Sequence, residues 1–305
     1  MPIELQAYQG PEHEPFLWEG NGTAAVLVHG FPGTPAEMRP VADVLHAAGW
    51  TVNGLLLPGF GRDFAKIAQY NHKEWRSAVE RAVTDLRAEH DRVVLVGNSM
   101  GSALAMAAAA GGSGDALLLF APFWRAYGRW VNAAFPLIGL FLHEMRPFRT
   151  ANFDDPQFRA GVHRFLPDAD LSDEETQEAI RELSLPISVL GEVRKAGKAG
   201  YAKAKRVRQP VTIIQGLEDE VASPDLTRAI AARLPNLTHL HMVEGGHDLT
   251  LLPATYRDAL VAGRASRPDA ATHAVRRIHD ALEALERNPN EPLLLQHLLL
   301  ELPSL

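Results

Sequence analysis

Residues 92–109 read RVVLVGNSMGSALAMAAA, and the order within that stretch decides the fold. Arg92 to Val96 is a short run of β-branched and aliphatic residues, and Ser102 onward is alanine-rich helix former; Gly97-Asn98-Ser99-Met100-Gly101 lies between them. A serine at a strand-to-helix turn sits on a sharp backbone bend. The flanking glycines are required because side chains there would strike the neighbouring strand and helix. The hydroxyl is thereby thrust into the open. The helix start beneath it supplies free N–H groups and the positive end of a dipole, which suit an oxygen that becomes negative. Gly-x-Ser-x-Gly alone is a weak pattern; its placement between strand and helix gives it meaning.

Working outward, further runs rich in Val, Ile and Leu alternate with longer helical stretches: Ala24 to Val28, Thr51 to Leu57, Ala116 to Phe120, Val211 to Gln215 and Leu237 to Val243. Nearly continuous apolar strands are what a parallel sheet covered by helices on both faces requires. Thr34 followed by Pro35 predicts a helix start, running to about Ala48 and closed by Gly49. His72 to Glu89 carries Trp75, Val79, Ala82, Val83 and Leu86 at helical spacing. The alternation breaks between Pro122 and Gln209, where no strand is evident and helical pieces are separated by prolines. The expected organisation is therefore a core from 1–121, a helical cap insertion over 122–209, and the second part of the core over 210–305 with C-terminal helices. One of those helices spans about Pro268 to Glu286, and the tail EPLLLQHLLLEL follows it.

Composition narrows the chemistry. The chain has 305 residues, 46% hydrophobic and 22% charged, which is ordinary for a globular protein and excludes disorder, collagen and coiled coil. A net charge of -7 gives no general attraction for nucleic acid or anionic membrane. Zero cysteines exclude disulfides, thiolate catalysis and sulfur-ligated zinc. The N-terminus has no basic region followed by an apolar run, so no signal peptide is expected and the expected location is the cytoplasm. Trp130 to Leu142 is too short to span a bilayer, which takes about 20 residues.

Three further segments complete a site around Ser99. His29-Gly30-Phe31-Pro32-Gly33 follows a strand, where the Phe31 N–H, with that of Met100, can point at a developing oxyanion. His29 is given no proton chemistry, because the backbone is what matters in that turn. A serine nucleophile needs a base, and the base an orienting carboxylate. Glu218, Asp219 and Glu220 follow the strand ending at Gln215, and Asp219 is preferred among them. His247 lies in a glycine-rich loop after the last strand, whereas His239 and His241 alternate within a strand and read as packing or surface residues. The chain order Ser99, Asp219, His247 fits nucleophile, acid and base at successive strand ends.

On these residues the chain resembles an α/β-hydrolase, and within that superfamily the bacterial carboxylesterases and monoacylglycerol lipases. The matching stretches are HGFPGTPAEMRPVADVLHAAGWTV, LLPGFG, VGNSMG, QGLEDEVASP and GGHD. The resemblance implies an α/β-hydrolase fold: a mostly parallel central sheet, helices on both faces and an inserted helical cap over the active site. The family's Gly-x-x-Asp-x-Val pattern followed by Pro falls on Gly216, Asp219, Val221 and Pro224, and its Gly-Gly-His on His247. Two departures bear on substrate preference: Gly59-Phe60-Gly61 stands where Gly-His-Gly is common, and Asn98 where His, Leu or Gln often stands.

The resemblance implies serine hydrolysis of carboxylic esters through an acyl-enzyme, with no cofactor and no metal. Phe123, Trp124, Trp130, Phe135, Leu137, Ile138, Leu140, Phe141 and Leu142 are either the cap's own core or an acyl-chain lining, and the second choice favours medium-chain esters or monoacylglycerols. The same fold and triad serve aminopeptidases, amidases, thioesterases, carbon-carbon bond hydrolases and acyltransferases. A ligand-binding module with slow turnover also stays open. For an aminopeptidase, Glu144 or the Asp154 to Asp155 pair would hold the amine. The expected partner is a small acyl ester and not nucleic acid. The cap leaves open a transient lipid-surface contact. The tail, whose Leu294, Leu295, Leu298, Leu299 and Leu302 share a helical face, docks onto its own subunit or forms a homodimer or lipid contact.

Overall fold

The computed structural model describes residues 8–125, 143–155, 158–159, 162, 166, 169–243 and 245–247. Seven strands form one sheet: β1 (Phe16–Trp18), β2 (Ala24–Val28), β3 (Thr51–Leu55), β4 (Val93–Asn98), β5 (Ala116–Phe120), β8 (Val211–Gly216) and β9 (Leu237–Val243). Their order is β1-β3-β2-β4-β5-β8-β9, with β1 antiparallel and the other neighbours parallel. All five residues of β2 and all six of β8 are buried, as a sheet covered on both faces demands. From β2 the chain steps to β3 on one side and then returns to β4 on the other. The crevice beyond the ends of β2 and β4 is thus the switch point at which open α/β sheets bind ligands.

Alternate residues of the strands feed two cores. Ala24, Val26 and Val28 join Trp75, Val79 and Leu86 of α2 (His72–Arg87) and Leu104 of α3 (Met100–Ala109). Ala25 and Leu27 join Val41, Ala42 and Leu45 of α1 (Arg39–Ala47) on the opposite face. The expected single helix from Pro35 begins as a 3-10 turn, Pro35–Met38, capped by the Thr34 hydroxyl, and becomes α-helix only at Arg39. The ring of Pro40 replaces an N–H near that junction, where none is needed. Asn71 and Glu74 form a reciprocal capping box at the start of α2. Every residue of α3 is buried, so this helix has no polar face at all.

The segment between Pro122 and Gln209 contains a two-stranded antiparallel pair, β6 (Glu144–Met145) with β7 (Leu185–Pro186), where the sequence predicts no strand. Two residues per strand leave no alternation to read, and Pro186 masks the second. Phe153, Val162, Leu166, Leu171 and Ile180 form a satellite core there, Ile180 lying on α4 (Glu174–Arg181). The last helix of the segment, α5 (Ile187–Lys203), lies directly on α3. A Cβ on Gly200 would stand 2.6 Å from the Ala103 carbonyl oxygen, so only glycine permits that approach. Glu192 accepts from both the Nδ1 (2.6 Å) and the N–H (3.1 Å) of His72, fastening α5 to the first residue of α2. The apolar run Trp130 to Leu142, the helix expected at Pro268 to Glu286 and the leucine-rich tail lie outside the described residues. No helix among the described residues is long and apolar enough to cross a membrane.

Candidate active site

Ser99 joins β4 to α3 with φ 51° and ψ -113°, a conformation that costs a side-chain-bearing residue about 1–3 kcal/mol. The surroundings enforce it. The Ser99 N–H bonds the Phe120 carbonyl at 2.9 Å, and its carbonyl accepts from Ser102 and Phe123 at 3.1 and 3.2 Å. The glycines on either side are steric necessities. A Cβ on Gly97 would stand 2.6 Å from the backbone of Ser102, and one on Gly101 would stand 2.0 Å from the Val28 carbonyl oxygen. The turn is thus wedged against the end of β2, which carries the other half of the site.

Ser99, His247 and Asp219 form a continuous hydrogen-bonded chain. Nδ1 of His247 lies 2.7 Å from Oδ2 of Asp219, and Nε2 lies 2.9 Å from Oγ of Ser99. Facing a carboxylate, Nδ1 carries the proton, so Nε2 is left to accept from the serine hydroxyl. The Asp219 side chain is fully buried, while the imidazole keeps 23% of its surface. Burial alone would raise the Asp219 carboxyl. Hydrogen bonds from His247, the Ala222 N–H and Gln215 outweigh burial and hold it below the ordinary carboxylate range. Oδ1 accepts from the N–H groups of Val221 (2.8 Å) and Ala222 (2.7 Å). Glu218 and Glu220, the competing carboxylates, are both exposed.

The acid's support includes a residue that sequence reasoning passes over. Gln215, fully buried at the end of β8, donates to Asp219 Oδ2 (3.2 Å) and to the Ala222 carbonyl (2.9 Å), while the Thr227 hydroxyl donates to its Oε1 at 2.5 Å. An uncharged amide at a strand end, followed four residues later by an aspartate, is a readable signal for such a support.

The turn after β2 stands against the serine: a Cβ on Gly30 would lie 3.2 Å from Cβ of Ser99. His29 shapes this turn from beneath. It is completely buried, and burial pushes its pKa down to about 4, so it is neutral. Nε2 accepts from the Leu57 N–H at 3.1 Å, and Nδ1–H donates to the Gly30 carbonyl at 2.8 Å. In the trans peptide between Gly30 and Phe31 the N–H points opposite to that carbonyl, so His29 fixes the direction of the Phe31 N–H. Met100 opens α3, and its N–H has no carbonyl one turn back in the helix. The two backbone groups expected to hold an oxyanion therefore come from the segments that meet at Ser99.

His239 and His241 lie on β9, each 8% exposed, with ring centroids 5.6 Å apart. Burial and then the neighbouring His239 lower His241 to about 4. Glu144, Asp154 and Asp155 are exposed. Among the described residues no group of three or more His, Asp or Glu side chains is placed to hold a metal ion.

The sequence pattern of the alpha/beta hydrolase family matches residues 25–263. A stretch of 93 residues is 34% identical to the thermostable monoacylglycerol lipase of Bacillus sp. (strain H-257), spanning 30% of this chain and only 37% of that enzyme. The fold is similar to that reported for LipS and LipT, two metagenome-derived lipolytic enzymes, with TM-score 0.62 and 21% identity over 84% of this chain and 99% of that one. It is also similar to the monoacylglycerol lipase of Paleococcus ferrophilus, with TM-score 0.60 and 14% identity over 89% of this chain and 99% of that one.

Proposed function

Because this chain belongs to the alpha/beta hydrolase family, we propose that it hydrolyses carboxylic esters through an acyl-enzyme on Ser99. The observation that carries this reading is the unbroken chain of contacts from Ser99 Oγ through His247 to Asp219. His247 Nε2 takes the hydroxyl proton as Oγ attacks the acyl carbonyl, and the imidazolium so formed is stabilised by the Asp219 carboxylate. Backbone N–H groups of Phe31 and Met100 hold the oxyanion, each worth roughly 10² to 10³ in rate. His247 then returns the proton to the leaving alcohol and activates the water that frees the acid. Every group that moves a proton here is supplied by the chain.

For the substrate we propose medium-chain acyl esters or monoacylglycerols. Support comes from the aromatic and aliphatic composition of residues 130–142 within a cap over 122–209, and from the partial identity with a monoacylglycerol lipase; Phe123 and Trp124 instead pack into the core, Trp124 stacked on Tyr201. A panel of p-nitrophenyl esters of increasing chain length, run on wild type and Ser99→Ala, tests both statements. Ser99→Ala is expected to lose on the order of 10⁶ in kcat. Turnover by that variant near the wild-type rate refutes the nucleophile, and activity confined to acetate refutes the acyl preference.

A further inference from the structure

Glu37 follows the turn after β2 and has no part in the proton transfers, yet its carboxylate sits where the two donor-bearing segments meet. Oε1 accepts from the Gly30 N–H, and the same oxygen accepts from Nδ2 of Asn98 at 3.2 Å. Gly30 immediately precedes Phe31, and Asn98 stands two residues before Met100. We propose that Glu37 is a positioning residue that ties the His29 to Gly33 turn to the end of β4, so that the Phe31 and Met100 N–H groups converge on one point. This inference rests on the hydrolase reading of Ser99.

Three observations support it. Gly30 is held at both of its polar groups, its carbonyl by His29 and its N–H by Glu37, which leaves the following peptide no freedom to turn. Asn98 is only 5% exposed, and its Oδ1 has no hydrogen-bond partner among the described residues, so the bond to Glu37 is what orients the amide. A Cβ on Gly33 would stand 2.0 Å from the Glu37 Oε2, so any larger residue there would displace the carboxylate from this position. From outside, the Tyr8 hydroxyl donates to the Pro32 carbonyl at 2.9 Å; burial, and then the charge of Glu37, keep that phenol protonated.

A carboxylate near a developing oxyanion would oppose it if bare. Here its nearer oxygen is taken up by two donors, so reach and acceptor character are what the site uses, and glutamine supplies both without the charge. The departure at position 98 then has a physical meaning: histidine, leucine and glutamine do not present the short amide that meets Glu37.

The test compares Glu37→Gln, Glu37→Asp and Glu37→Ala in the full chain. Readouts are kcat and KM on a p-nitrophenyl ester, the rate at which a fluorophosphonate labels Ser99, and the melting temperature. A whole oxyanion donor is worth roughly 10² to 10³, so a misdirected one should cost Glu37→Ala and Glu37→Asp about 10- to 100-fold in kcat, with KM changed by less than about threefold. Fluorophosphonate labelling should slow in parallel, because its P=O uses the same donors, and Glu37→Gln should keep at least about a third of kcat. Wild-type kcat and labelling in Glu37→Ala overturn the proposal, as does a Glu37→Gln that falls as far as Glu37→Ala. If the shorter variants do not fold, Asn98→Ala replaces them, with an expected loss of about three- to tenfold; full activity there overturns it equally. A wild type that does not label at Ser99 refutes the hydrolase reading itself, whereas labelling at full rate in all variants refutes only the role of Glu37.

Discussion

Acidification should unfold this protein in part through one side chain, His29. In the folded chain its pKa lies at about 4 because burial disfavours the cation, against 6.5 for a solvated imidazole. Above 6.5 both states are neutral and pH does not matter. Between 6.5 and about 4 the unfolded chain takes up a proton that the folded chain refuses, so stability falls as pH falls, and below 4 the loss levels off. The full shift corresponds to about 3 kcal/mol, of which about 2 kcal/mol is lost between pH 7 and pH 5. Protonation would also remove the acceptor that Leu57 N–H uses and set the turn before Phe31 loose, so activity should decline together with stability. Urea unfolding followed by tryptophan fluorescence at pH 7, 6 and 5, on wild type and His29→Gln, isolates the contribution. Glutamine does not titrate, so the stability gap between the two proteins should narrow by about 2 kcal/mol over that range. A gap that stays constant with pH, or an imidazole NMR signal showing His29 titrating near 6.5, would show that the residue is not desolvated as described.

Two further substitutions probe the site's construction. Asp219→Asn with its Nδ2 toward His247 reverses the imidazole's favoured tautomer, and kcat should fall by about 10⁴, with a lowered melting temperature as well because that NH2 then faces the Gln215 amide donor; a loss below tenfold would assign the orienting role elsewhere. Gly101→Ala drives a Cβ to 2.0 Å from Val28 O and 2.6 Å from His29 O, both backbone atoms that cannot swing aside. It should cost about 1–3 kcal/mol in denaturant unfolding together with most of the activity, and an unchanged unfolding midpoint would contradict the packing described.

Where the sequence was sufficient, the reason is local. Continuous apolar runs placed the six parallel strands because burial on both faces leaves that mark in composition, and Gly97 and Gly101 announced the turn because sterics there admit no substitute. The run Thr51 to Leu57 overshoots β3 by two residues, since the Leu57 N–H is claimed by His29 rather than by a neighbouring strand. β1, three residues long at the sheet's edge, leaves too short a pattern to read. Asp219, preferred among three adjacent acids, is the one that meets His247. The roles of His29 and Glu37 are not legible in the sequence, because each joins a contact to Gly30 with one far along the chain, to Leu57 28 residues from His29 and to Asn98 61 residues from Glu37. Such pairings leave no periodicity and no spacing to read.

The complete enclosure of α3 has a consequence for where this protein can change. A helix with no solvent face exchanges its amide hydrogens only when the whole domain opens, so the strained backbone at Ser99 is as durable as the fold itself. The proposed nucleophile is thereby anchored in the least negotiable part of the molecule. Change is easier in the segments attached to the strand ends, which carry exposed residues, than at Ser99 itself.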